Sequence, residues 1–134
     1  MLTRKAGTVL LNKQTNQVGL VYRKKYGDLS FPKGHLEEDE TLKECAIRET
    51  IEETGRLCHL IEDTPIDIMY YKTSSGEKIE NYMYLAQDDG LNDYISKDSE
   101  ILVWIDIDNV LKSLDYPNLI EFWQKVYPEV KKHL

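Results

Sequence analysis

At 134 residues the chain suits one domain, 1–134, able to hide roughly 68–70% of its unfolded surface. Apolar residues make up 41% and charged residues 31%, too many and too patterned for disorder, and no run approaches the roughly 18 apolar residues of a membrane span. The net charge of −7 argues against a general binder of duplex DNA, which needs Lys and Arg to meet phosphates.

In chain order, Ala6–Leu11 and Val18–Tyr22 are apolar, β-branched runs flanking the turn-prone stretch 12–16, the pattern of a β-hairpin. Residues 23–34 read as a loop punctuated by Gly27, Pro32 and Gly34. A helix is expected over 41–54, with Asp39 or Glu40 near its start and Gly55 placed to end it. Leu57–Ile61 and Ile66–Lys72 are strand-like. Ser74-Ser75-Gly76 turns the chain, Lys78–Ala86 returns as a strand, and Ile101–Ile105 is another. Helices follow over 107–114 and 118–131, the second carrying Leu119, Phe122, Trp123, Val126 and Val130 near i, i+3, i+4 spacing. The expected class is α/β (α+β), a mixed sheet covered by helices. Cys45 and Cys58 form neither a disulfide framework nor a metal motif, and MLTRKAGTVLLNK has no signal-peptide core. A reducing, cytoplasmic setting is expected.

The net charge conceals a division. Residues 1–33 carry +6, residues 34–55 carry −6, and the remainder carries −7. At about 100° per residue, Glu49, Glu52 and Glu53 share one arc of the expected helix, while Leu42, Ala46, Ile47 and Thr50 line a neighbouring arc suited to a core. Like charges so placed weaken a helix. A divalent cation reverses that balance, and clustered carboxylates suit Mg²⁺ or Mn²⁺.

From Gly34 to Gly55 the sequence GHLEEDETLKECAIRETIEETG resembles the Nudix box, G-x5-E-x7-R-E-U-x-E-E-x-G-U, U being a bulky apolar residue. All fixed identities are present, a coincidence on the order of one in 10⁸ per start position at average residue usage. Both U positions depart from it. Thr50 brings a hydroxyl that needs a partner, such as a carbonyl one turn back. Arg56 either lays its stem over the core edge with its guanidinium in water, or leaves the packing role to Leu57.

The resemblance implies a Nudix-type α/β/α sandwich and a Mg²⁺- or Mn²⁺-dependent hydrolase of a P–O–P bridge in a nucleoside diphosphate derivative. It implies Glu49, Glu52 and Glu53 as metal ligands, a carbonyl from Lys33 or Gly34 beside them, Glu40 as a further, water-mediated carboxylate, and Arg48 as the residue orienting Glu49. The general base would be Glu49 or Glu52, with Glu100 the candidate outside the box. Lys33 and His35 are candidate phosphate contacts, and Arg4 and Arg23 belong to the same basic block, which also holds Lys5. For stacking on a base, Tyr82 and Tyr84 share one strand face, and Tyr26 and Phe31 flank the box. FPKGH is similar to the dinucleoside polyphosphate hydrolase branch and its MutT-like relatives. The expected substrate is therefore a small nucleotide such as diadenosine tetraphosphate, the alternatives being a nucleoside triphosphate pyrophosphatase or a non-catalytic nucleotide sensor. Monomer and homodimer both remain open.

Overall fold

The structure is a computed structural model and describes residues 2–134. Two strands, β1 (Leu2–Asn12) and β2 (Gln17–Arg23), form the expected hairpin, with Leu10 opposite Gly19. The stretch expected as loop contains two three-residue strands, β3 (Asp28–Ser30) and β4 (Lys33–His35). These pair with β2 and β1 respectively. Helix α1 (Leu42–Thr54) follows, then β5 (Arg56–Leu60), β6 (Asp67–Lys72), β7 (Lys78–Leu91) and β8 (Ile101–Asp106). A 3₁₀ turn (Ile107–Asn109) leads into the short α2 (Val110–Ser113), so the helix expected over 107–114 is irregular, and α3 (Pro117–Lys131) closes the chain.

All eight strands belong to one mixed sheet. Among the described residues its only parallel pair is β1 with β7, where Lys5 faces Asn81 and Gly7 faces Met83. Alternation along these strands gives the sheet two faces. Val9, Leu11, Met83 and Leu85 pack beneath α2 and α3 with the buried Phe122, Trp123, Val126 and Val130. Ala6 and Tyr84 pack on the opposite face against Cys45 and Ala46 of α1. A sheet between helices is thus the observed architecture. Phe31, a stacking candidate by sequence, is instead a core residue, 1% exposed, with its ring centroid 5.2 Å from that of Phe122.

Helix α1 begins one residue later than its acids suggested, because Thr41 is the cap. Its hydroxyl accepts from the Glu44 N–H and the Glu44 carboxylate accepts from the Thr41 N–H, a capping box. Gly55 ends the helix at φ 70°, the left-handed region open to glycine. Thr50 finds the partner its position requires: its hydroxyl lies 2.8 Å from the Ala46 carbonyl and 2.7 Å from the Thr8 hydroxyl of β1. With the Thr50 proton on the carbonyl, Thr8 donates, and the bond seats α1 on the sheet.

Arg56 departs from expectation. Its guanidinium is bound in a fork to Asp88 of β7 at 2.6 and 2.8 Å rather than reaching water, and Leu57 is 39% exposed and takes no packing role. A charged pair thus stands where an apolar contact was expected.

Gly7 allows β1 to lie against the turn into β4. A Cβ there would sit 2.1 Å from the Pro32 carbonyl oxygen, which is backbone and cannot step aside. Gly7→Ala is expected to cost about 1–3 kcal/mol, read as a lower midpoint in urea unfolding with an unchanged slope.

Candidate active site

The carboxylates of α1 are held by a small number of donors. Arg48 is the hub: it bonds Glu40 in a fork at 2.6 and 3.0 Å, reaches both Glu52 oxygens at 3.2 and 3.3 Å, and donates to the His35 carbonyl at 3.0 Å. Glu49 lies further from it, at 3.6 Å. Glu40, expected as a further, water-mediated carboxylate, is the anchor of Arg48. That bond, more than any other influence, holds its carboxyl below the usual carboxylate range.

Glu49 and Glu53 are half-buried, and that burial is the main reason both carboxyls are pushed up, Glu53 to about 7. Each also feels acidic neighbours: Glu53 and Glu52 raise Glu49, and Glu100 raises Glu53. Glu53 accepts the Lys33 N–H at 2.9 Å. Among the described residues, the His, Cys, Asp or Glu trio whose ligand atoms lie within 4.8 Å of one another is Glu62, Glu129 and His133, away from α1. Glu40, Glu49 and Glu52 gather around Arg48, whereas Glu53 is turned to the Lys33 N–H.

Strand β4 fits against α1 because residue 34 has no side chain. A Cβ on Gly34 would fall 1.6 Å from a Glu49 carboxylate oxygen. The obstacle is the end of a flexible side chain, so Gly34→Ala is expected to keep the fold and displace that carboxylate. A misplacement of about 1 Å at a reacting group costs on the order of 10²-fold in rate. Circular dichroism should be unchanged while any hydrolytic turnover falls by about that factor.

Glu100 closes the far side of the helix. Its N–H donates to the Glu53 carbonyl at 2.8 Å, and its carboxylate accepts the Lys24 N–H at 3.1 Å. It is thus beside Glu53 without being on α1.

The expected substrate contacts separate into three places. Lys33 and Arg23 line a cleft of about 180 Å³ with Ser30, Met69, Tyr71 and Tyr116. His35 and Arg4 line a different groove with Leu36, and Arg4 also pairs with Glu80 at 3.3 Å. Tyr82 and Tyr84 face α1: Tyr84 is 4% exposed and packs against Cys45 and Ala46, and the Tyr82 hydroxyl donates to Glu80 at 2.9 Å. Both tyrosines therefore lie on the sheet face opposite the Lys33 cleft. Tyr26 is exposed, with Arg23 4.4 Å over its ring.

Within the cleft, Lys33 donates to the Ser30 hydroxyl at 2.7 Å. Burial first, then the neighbouring charges of Arg23 and Lys5, push its ammonium down to about 8. Arg23 grips Asp28 in a fork at 2.6 and 2.7 Å and faces the rings of Tyr26 and Tyr116. The cleft walls Tyr71 and Tyr116 escaped the sequence reading. They come from β6 and from the residue before α3, and no local pattern ties them to the box.

A loop strand and a helix thus set a cationic cleft beside a carboxylate row. Over residues 1–126 the chain matches the sequence model of the NUDIX domain. It belongs to the Nudix family. An 8-oxo-(d)GTP phosphatase from Mycolicibacterium smegmatis is 32% identical over 105 residues, 78% of this chain and 31% of the relative. The chain therefore spans about a third of that relative's length. A NUDIX hydrolase from Nitrosomonas europaea shares the fold at TM-score 0.78 and 20% identity, over 96% of this chain and 90% of that one. The C. elegans Ap4A hydrolase binary complex does so at TM-score 0.77 and 22% identity, over 97% and 98%. Among the described residues, no helix is long and apolar enough to cross a membrane.

Proposed function

We propose that this Nudix chain hydrolyses a P–O–P linkage in a nucleoside diphosphate derivative, preferably a dinucleoside polyphosphate such as diadenosine tetraphosphate, with Mg²⁺ or Mn²⁺. The observation that carries the reading is Lys33. Its N–H holds Glu53 of the carboxylate row at 2.9 Å, while its side chain, with the ammonium on the Ser30 hydroxyl, lines the cleft that Tyr71 and Tyr116 also line. One residue therefore joins the two charges that a polyphosphate and its cation require.

The donor set fits a hard divalent cation. Glu49, Glu52 and Glu53 offer oxygens alone, and the half-buried Glu49 and Glu53 carboxyls are raised first by burial and then by acidic neighbours, both of which a bound cation would offset. These three would hold the ion, with a carbonyl of Lys33 or Gly34 beside them. When bound, it would neutralise phosphate charge and acidify a water. Arg48 keeps Glu52 in place from the anchor of Glu40. Lys33, with Lys5 and Arg23 near it, would meet phosphate oxygens. Tyr71 and Tyr116 supply aromatic walls for the base, and Glu49 or Glu52 would take the proton from water. Glu100, bound to the Lys24 N–H, is the alternative base.

A second reading is a nucleoside triphosphate pyrophosphatase, favoured by the likeness to the 8-oxo-(d)GTP phosphatase. A product-resolved assay on diadenosine tetraphosphate, nucleoside triphosphates, ADP-ribose and capped RNA, with Mg²⁺ and Mn²⁺, decides between them. Preferred release of ATP and AMP from diadenosine tetraphosphate supports the first reading, and preferred release of pyrophosphate from a triphosphate supports the second. Binding without turnover on any of them overturns both in favour of a sensor.

A further inference from the structure

Asn81 of β7 is fully buried, and its carbonyl oxygen Oδ1 has no hydrogen-bond partner among the described residues. Its amide nitrogen reaches only the Met69 sulfur, at 3.9 Å. Turning the amide over would exchange an orphaned acceptor for orphaned donors, so the group is unsatisfied either way. Buried amides are seldom left so, because desolvation without a partner is costly.

The register says what lies beside it. Asn81 is directly opposite Lys5 on β1 and opposite Met69 on β6, and Lys5 is opposite His35 on β4. Partners across a sheet share a face. Asn81 is therefore on the face that carries Lys33, Met69 and Tyr71, in the strand that forms the floor between β4 and β6. Met69, 7% exposed, lies beside it on β6 with its sulfur at the amide nitrogen. The same Met69 lines two adjoining clefts, that of Lys33 and Tyr116 and a second of about 190 Å³ reaching Asp67 and Lys125. Methionine is unbranched and turns readily. A Met69 side chain swung aside would release the amide nitrogen and open the wall that the two clefts share.

We infer that Asn81 is the specificity-determining residue for the base, its carboxamide pairing with an amino-substituted nucleobase that displaces Met69, adenine being the best match. This rests on the placement of the nucleotide in the Lys33 cleft. The free oxygen needs an N–H, and the amide nitrogen, released from sulfur, needs a nitrogen or oxygen acceptor beside that N–H. Adenine offers both through its 6-amino group and the adjacent ring nitrogen, a pairing that asparagine makes in two bonds. A site built to bond a polar group rejects the analogue lacking it far more strongly than an apolar pocket rejects a missing methylene.

The test compares diadenosine tetraphosphate with its analogue built on unsubstituted purine, which lacks the 6-amino group. Rates are measured with Mg²⁺, and affinities by calorimetry with Ca²⁺ in its place. Wild-type protein should favour adenine by at least about tenfold, and Asn81→Leu should narrow that preference to about twofold. The variant should also melt no lower than wild type without nucleotide, since it removes an unsatisfied buried group; a structural amide would move melting the other way. Asn81→Ser serves if the leucine variant misfolds, with the same expected loss of preference. Equal treatment of the two substrates by wild type, a preference that survives substitution, or no binding of either probe overturns the inference. Failure of the hydrolase reading would show separately, as absent turnover with the base preference still present in the affinities.

Discussion

Glu53→Gln is expected to lower hydrolytic turnover by about 10²–10³-fold, the scale seen when one preorganised electrostatic contact is lost from a reacting centre. The side chain keeps its shape, and its oxygen can still accept the Lys33 N–H now found at 2.9 Å. What disappears is a formal negative charge next to Glu49 and Glu52. That charge is unfavourable for the fold by itself, since burial pushes the Glu53 carboxyl up to about 7. The substituted protein should therefore melt at the wild-type temperature or above it in EDTA while losing activity. Global unfolding would move both quantities downward together. Glu52→Gln should follow the same direction with less effect on melting, because Glu52 is half-buried and leans on Arg48 at 3.2 Å. Near-wild-type rates for Glu53→Gln at saturating Mg²⁺ would overturn the assignment of the cation to this row. Measured against the Gly34→Ala variant, which displaces Glu49 without removing charge, the pair separates loss of charge from loss of position.

The parts of the fold legible in the sequence are those with a local cause. The hairpin follows from two apolar runs around a turn, helix α1 from its apolar arc and the glycine that ends it, and α3 from five core residues that are all buried. The carboxylate row follows from helical spacing alone. What escaped reading depends on partners distant in the chain. Strands β3 and β4 have three residues each, too few for periodicity, and exist because β1 and β2 offer them an edge. Strand β7 runs on through Asp88, Asp89 and Gly90, polar residues that argue against a strand until β5 pairs with them across a bulge at Leu57 and Cys58. Arg56 looked like a misplaced apolar site because Asp88 lies 32 positions away. The cleft is the clearest instance. Tyr71, Tyr116 and Asn118 meet Lys33 only through the sheet and the start of α3, whereas the tyrosines that alternation suggested, Tyr82 and Tyr84, are turned toward α1.

If the half-buried carboxylates hold a cation as proposed, the stability of the protein should depend on pH and on divalent cations together. For Glu53, burial raises the carboxyl from its ordinary 4.5 to about 7 in the folded chain, and Glu49 is raised for the same reason with Glu53 as its next cause. Between those values the native state holds protons that the unfolded chain has released, so stability must fall as pH rises. The contribution is complete below about 4.5 and lost once pH passes about 7. At 1.36 kcal/mol per unit, one such group accounts for about 3 kcal/mol, on the order of 10 °C in Tm for a domain of this size. In EDTA, the melting temperature should therefore decline from pH 5 to pH 8, against the usual gain that proteins show on leaving acid. On the proposed function Mg²⁺ would bind the native carboxylate row in preference to the unfolded chain and stabilise by mass action, so adding it at pH 8 should restore most of that decline and at pH 5 should do little. Glu53→Gln removes the titrating group and should flatten both responses. A melting temperature that rises steadily with pH in EDTA, or an equal Mg²⁺ effect at pH 5 and pH 8, would mean that these carboxylates are solvated and the cation is bound elsewhere.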